Sequence, residues 1–229
     1  MLDFNILQQN FVFKLLLTVF SSRNKNVCDD VSKQLILSIL HKAVGIKGKV
    51  VLDLVKRYGF LVWVLDQCHI LADEIISKKS GLDEVGKMYE GLVDILTNSW
   101  NSVKDAFGNT NIASEERVTI MEYHYTTRDV VGLTLKIYNT RALSFTYFQR
   151  LVKLTVEVET IRNGLKSDIS TNEVSLQRKS HAAAEDKVKD MCISLLADEK
   201  YCYQSSARNR KSIEDVQQEI EKVFKSSTI

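Results

Sequence analysis

Apolar residues recur along this chain at three- and four-residue intervals, the spacing that lines side chains along one face of an α-helix. Residues 5–20 are too densely apolar for a surface helix. With polar relief at Gln8, Gln9, Asn10 and Lys14, they predict a helix buried on most sides. After a polar loop at 21–26, Val31, Leu35, Ile36, Ile39, Leu40, Ala43 and Val44 predict one helical face. Asp29 or Asp30 serves as its N-cap and Gly45 as its stop. A third helix is expected over 47–58, with Val50, Val51, Leu54 and Val55 inward and Gly59 ending it. A fourth begins at Phe60, runs through Trp63, Leu65, Cys68, Leu71, Ile75 and Ile76, and stops before Gly81. A fifth covers 82–107, with Val85, Met88, Tyr89, Leu92, Ile95, Leu96, Trp100 and Val103 on one side.

Residues 108–113 form the clearest mid-chain loop, and Ser114 followed by Glu115 and Glu116 predicts a capped helix start. The segment 118–138 is rich in β-branched and aromatic residues and partly alternates as a strand would. Val130, Leu133, Ile137 and Leu143 fit a helical face better, so helix is expected here, with strand left open. A further helix over 141–164 follows from Leu143, Phe145, Phe148, Leu151, Leu154, Val158 and Ile161. Beyond Gly164 the chain turns polar. An apolar patch at 188–196 and a thin stripe of Ile213, Val216, Ile220 and Phe224 are all that could anchor it. Two regions are therefore expected: a helical-repeat-like core domain over 1–165, and a polar helical tail over 166–229, weakly anchored or partly disordered.

Composition strengthens the helical reading. The 229 residues include no proline, where about eleven would be ordinary, and only nine glycines. A β-sandwich or barrel needs many turn residues, whereas helices joined by short polar loops need few. The expected class is all-α: stacked antiparallel helices, either an α-solenoid of armadillo/HEAT type or an irregular bundle, with a loosely attached helical C-terminal tail.

Charge excludes rather than assigns. Thirty-one Lys+Arg against 29 Asp+Glu is too even to indicate a nucleic-acid groove or a membrane surface. The apolar run at 11–17 fails as a secretory leader, because Asp3 stands where a positive region belongs and Lys14 interrupts it. The run at 60–65 is far shorter than the roughly 20 residues that span a bilayer. Cys28, Cys68, Cys192 and Cys202 form no C-x-x-C pair and read as reduced thiols in an intracellular protein.

No catalytic constellation emerges. Adjacent on a helix, Cys68 and His69 diverge by about 100° and cannot share one substrate atom. His41, His69, His124 and His181 lie too far apart in sequence for zinc-type spacing. Paired acids such as Asp83-Glu84 and Glu115-Glu116 sit at helix starts, where they offset the helix dipole. Gly45-Ile-Lys-Gly48 lacks the strand and the G-K-[ST] ending of a phosphate loop. Gly86 and Gly91, inside the fifth helix, predict close helix packing. Arg208, Arg210 and Lys211 form the one basic group assigned to partner binding, with RNA phosphates or a carrier protein as its targets. No cofactor, metal or catalytic residue is expected.

The stretch Ile36-Leu-Ser-Ile-Leu-His-Lys-Ala-Val44, followed after a gap by Val51-Leu-Asp-Leu-Val-Lys-Arg-Tyr-Gly-Phe-Leu-Val-Trp63, resembles the C-terminal helical region of the nucleolar pre-ribosomal-associated proteins. Phe13-Lys-Leu-Leu-Leu-Thr-Val-Phe-Ser-Ser22 precedes it in the same order. The resemblance covers about residues 5–70 and is of packing type: Tyr58 and Trp63 as large buried anchors, Gly59 as the turn between helices. It implies a non-catalytic helical scaffold in nucleolar assembly of the large ribosomal subunit, belonging to a family of large α-solenoids. This shorter chain would then be a fragment, paralogue or truncated gene model of such a protein. Ribosome-assembly proteins are the implied partners and the nucleolus or nucleus the implied location, with pre-ribosomal RNA open as a further partner and neither a membrane nor a small-molecule substrate expected. The alternative is a stand-alone cytosolic adaptor or regulatory bundle that uses the helix after residue 212 as a coiled-coil handle.

Overall fold

The computed structural model describes the backbone of residues 2–22, 24, 26–45, 49–57, 59–77, 82–107, 114–141, 145–164, 173–197 and 213–226. Among them the protein is all-helical: α1 (Leu2–Phe20), α2 (Asp30–Val44), α3 (Lys49–Arg57), α4 (Phe60–Ser77), α5 (Leu82–Val103, tightening into a 3-10 turn at Lys104–Phe107), α6 (Ser114–Arg141), α7 (Phe145–Gly164), α8 (Glu173–Ala197) and α9 (Ile213–Ser226). The chain divides into two compact units, Met1–Phe107 and Gly108–Ile229.

In the first unit α5 is the central helix, packed against α2, α3 and α4, while α1 lies on α2. The sequence dictates this role. All eight apolar positions expected on one side of α5, from Val85 to Val103, are buried, and the Trp100 ring lies tilted at 5.8 Å from Phe107. Gly91 lets α2 approach: a Cβ there would meet Leu37 Cδ1 at 3.1 Å. Gly86 has open space around it, so the close-packing expectation holds for one glycine of the two. Polar groups complete the α2–α5 seam. Asn98 Nδ2 lies 2.7 Å from His41 Nε2, and the Ser102 hydroxyl donates at 2.6 Å to the Val44 carbonyl, one of the acceptors a helix end leaves unmet. At its other end α2 is capped by Asp29, whose Oδ1 accepts from the Ser32 amide at 2.8 Å.

The second unit packs α6, α7 and α8 against one another, with α9 on α8. Residues 118–138 lie within α6, which settles the helix-or-strand question. Their β-branched content is accommodated because threonine hydroxyls turn back onto the preceding helical turn. Thr119 donates to Glu115 O at 3.1 Å, Thr127 to His124 O at 3.2 Å, and Thr134 to Val130 O at 2.7 Å. Thr119, Thr127 and Thr134 can therefore sit in the core without an unmet hydroxyl.

Three expectations need correction. The compact units meet after Phe107, not near 165. Part of the stretch assigned to a loosely attached tail is core: Ala184, Val188, Cys192, Leu195 and Leu196 of α8, and Ile220 and Val223 of α9, are buried. Residues 165–172 and 198–212 lie outside the described residues. Nor are α1 and α2 covered as their sequences suggest. On α2 the buried residues are Ile36, Leu37, Leu40 and Val44, while Val31 is 76% and Leu35 62% exposed, with Ile39 outside as well. On α1 Phe13, Leu17 and Phe20 are buried, but Phe11 is 69% exposed and Val12 and Leu15 are also outside. Both helices carry more apolar surface than the described residues cover. A periodic sequence cannot distinguish a face turned to its own core from one turned outward.

Candidate functional site

Of the three residues expected to anchor the helix pair, Gly59 and Trp63 lie among the described residues. Gly59 occupies the turn from α3 to α4 with φ +56°, the left-handed region in which only glycine is unstrained. Its carbonyl accepts the Trp63 amide at 2.8 Å, beginning α4 directly from the turn. Trp63 is half-buried rather than fully buried. Its ring packs edge-on to Phe20 at 5.4 Å and stacks on Phe60 at 6.2 Å. Its indole Nε1 donates to the Leu17 carbonyl at 3.2 Å and the Ser21 hydroxyl at 2.9 Å, at the C-terminal end of α1. Trp63 thus ties α4 to α1, and Phe13 against Phe60 at 5.7 Å continues the same seam. Tyr58, the remaining anchor, lies outside the described residues, as do Arg208, Arg210, Lys211 and Cys202.

The outward faces form the first candidate surface. Val31, Leu35 and Ile39 are spaced four apart, so they make one row along α2, and Phe11 and Leu15 make another along α1. Water-facing rows of this kind mark interaction sites more often than single scattered residues do.

The second candidate was not recognised from sequence. Glu159 of α7 is only 3% exposed, yet it is charged. It accepts from Arg162 Nε at 2.7 Å and Arg162 Nη2 at 2.8 Å, a bidentate pair one helical turn apart. Lys187 of α8 reaches it at 3.3 Å while also donating to Asn163 Oδ1 at 2.8 Å, and His124 Nδ1 of α6 lies 3.3 Å from its other oxygen. Burial alone would raise the Glu159 carboxyl, but the Arg162 hydrogen bonds and the neighbouring cations outweigh it and hold it below the usual range. The same pairing, against its own burial, raises the Arg162 guanidinium. One carboxylate thereby links α7 to α8 and lies against His124 of α6. A cavity of about 300 Å³ opens beside it, lined among others by Arg128, Thr155, Val188 and Met191. The signal was present in the sequence. Phe148, Leu151, Thr155 and Glu159 follow the buried spacing of α7, and a charged residue at a core position needs a partner.

The remaining candidate groups are inert by environment. Burial pushes the Cys68 thiol far above its ordinary value and the Cys192 thiol up to about 12, so both stay protonated at neutral pH. Ile220, one of the four stripe residues that a coiled-coil handle on α9 would use, is buried within this chain. Among the described residues no helix is long and apolar enough to cross a membrane, and no group of three or more His, Cys, Asp or Glu could hold a metal ion.

No curated protein and no solved structure matches this chain. Residues 2–63 match the profile of the family described as nucleolar pre-ribosomal-associated protein 1. That match spans α1, α2, α3 and the start of α4 as far as Trp63, just over a quarter of the chain, and includes both outward apolar rows.

Proposed function

We propose that this protein is a non-catalytic helical scaffold that works in nucleolar assembly of the large ribosomal subunit, binding an assembly protein through the outer faces of α1 and α2. The observation that carries this reading is a coincidence of place: the segment similar to a nucleolar pre-ribosomal family is also the segment whose helices are apolar on two sides. A helix such as α1, apolar nearly all round, is made to be covered on both faces. The fitting partner is a helix or helix pair with its own apolar stripe, packed ridge into groove. The protonated, buried thiols of Cys68 and Cys192 favour a binding role over nucleophilic chemistry.

The test is expression of the tagged full chain in nucleated cells, with the double variant Phe11→Glu/Leu35→Glu beside it. The wild type should concentrate in nucleoli and co-purify with large-subunit assembly proteins. The variant should melt at the wild-type temperature and lose those proteins. Diffuse staining of the wild type, or equal recovery by the variant, would overturn the reading.

A further inference from the structure

The cavity beside Glu159 lies in the other compact unit and takes no part in that reading. Its walls come from α6, α7 and α8, and its charge is unbalanced. Arg128, Arg162 and Lys187 carry three fixed positive charges, whereas Glu159 is the one buried carboxylate. Asp190 is exposed, as are Arg128 and Lys187, so the lining carries three positive charges against two negative ones. His124 adds a titratable group on the α6 side.

Hydrogen-bond capacity points the same way. Arg162 uses its Nε and one Nη2 hydrogen on Glu159, which leaves the Nη1 edge of a guanidinium already fixed in orientation. Lys187 is held by Glu159 and Asn163 and retains one of its three donors. Arg128 is exposed at the rim with a full guanidinium fork. The hydroxyls of Thr155 and Ser194 donate to the carbonyls of Leu151 and Asp190, so they offer a ligand lone pairs only. Among these groups the spare strong donors are cationic. Val188 and Met191 supply apolar wall on the α8 side.

We propose that this cavity binds a phosphate monoester of mononucleotide size, its phosphate held between Arg128, Arg162 and Lys187 and its less polar body against Val188 and Met191. One positive charge is left after Glu159 and Asp190 are counted, which favours an anion, and guanidinium forks fit phosphate oxygens in pairs. A volume of about 300 Å³ is at the lower end of small-ligand sites, room for one nucleotide. Glu159 acts as the positioning residue, since it fixes Arg162 and Lys187 before any ligand arrives.

The experiment uses the full chain and follows the melting midpoint and calorimetric binding with AMP, adenosine and acetate. AMP should bind saturably and raise the midpoint with concentration, while adenosine and acetate should not. Arg128→Gln, at an exposed position, should leave the unliganded midpoint unchanged and weaken AMP at least tenfold. Lys187→Gln gives a second, independent reduction. Equal shifts with AMP and adenosine, or AMP binding unaltered in Arg128→Gln, would overturn the proposal. So would tight binding of a short single-stranded RNA that survives removal of its terminal phosphate, because that would make the surface a phosphodiester track.

Discussion

The two compact units solve the burial problem in opposite ways. The first keeps charge out of its core and leaves large apolar residues outside, on α1, α2 and α4. The second leaves only Val118 and Tyr125 exposed among its described large apolar side chains, and places an ionised carboxylate at the junction of three helices. Apolar surface is adhesive but unspecific in direction. A buried carboxylate held by Arg162 and Lys187 fixes geometry, because each donor must be met at a set distance. The first unit is thus suited to being completed by another helical surface, and the second to holding a preformed internal shape.

The strongest way to probe the difference is to damage each core in its own terms. In the first unit Trp100→Ala removes the largest fully buried side chain and its ring contact with Phe107. A loss of about 4 kcal/mol is expected in urea denaturation, with faster amide exchange in α5 and in the helices packed on it. In the second unit the matching lesion is Glu159→Ala, which strands Arg162 and Lys187 beside a hole. The expected loss is about 3 kcal/mol, with exchange rising in α6, α7 and α8.

The charged core has a pH signature that the apolar core lacks. Because the folded Glu159 carboxyl is held below its ordinary value of 4.5, its contribution is fully present above that pH and disappears as pH falls through the lower folded value. The stability gap between the wild type and Glu159→Gln should therefore be constant near neutrality and narrow below about pH 4.5. A gap that stays constant down to pH 3 would mean that the carboxylate charge is not what joins the helices.

The two units also differ in how far the sequence revealed them. The core of the first is carried by α5, whose residues are apolar on one side and polar on the other, so a period of 3.6 identifies it directly. The same periodicity misled on α2, where Val31, Leu35 and Ile39 look like core and face outward. Nothing local separates a residue that packs within its own chain from one that awaits a neighbour. In the second unit the threonines of α6 weaken the helical signal until their hydroxyl bonds to the preceding turn are seen. The Glu159 site depends on partners 35 residues earlier, at His124, and 28 later, at Lys187. Their convergence comes from tertiary packing, which spacing along the chain does not encode.

A milder perturbation addresses the turn between α3 and α4, which lies inside the segment similar to the nucleolar family. Gly59→Ala meets no atom within 4 Å, so any penalty comes from the φ of +56° alone. About 1 kcal/mol is expected, read from the denaturation midpoint of the purified chain. A neutral result would show that the turn relaxes to negative φ without disturbing the Trp63 seam.

The smallest expected effect is the most telling for the comparison. Phe11→Gln and Leu35→Gln each replace an exposed apolar side chain with a polar one of similar reach. Since water already surrounds most of each residue, little transfer free energy is at stake, and the change in unfolding free energy should stay within about 0.5 kcal/mol. Solubility should rise, because the adhesive rows on α1 and α2 are interrupted. Core residues of the same size respond differently: replacing Leu40 or Leu92, both fully buried, removes a whole side chain from the interior and costs about 2–5 kcal/mol as Ala. If Leu35→Gln instead behaved like Leu40→Ala, the outer face of α2 would be covered within this chain, and the first unit would no longer be the one that needs a partner. If Leu35→Gln is silent in stability yet abolishes association, the row is an interface, and its exposure is the feature that separates the two units.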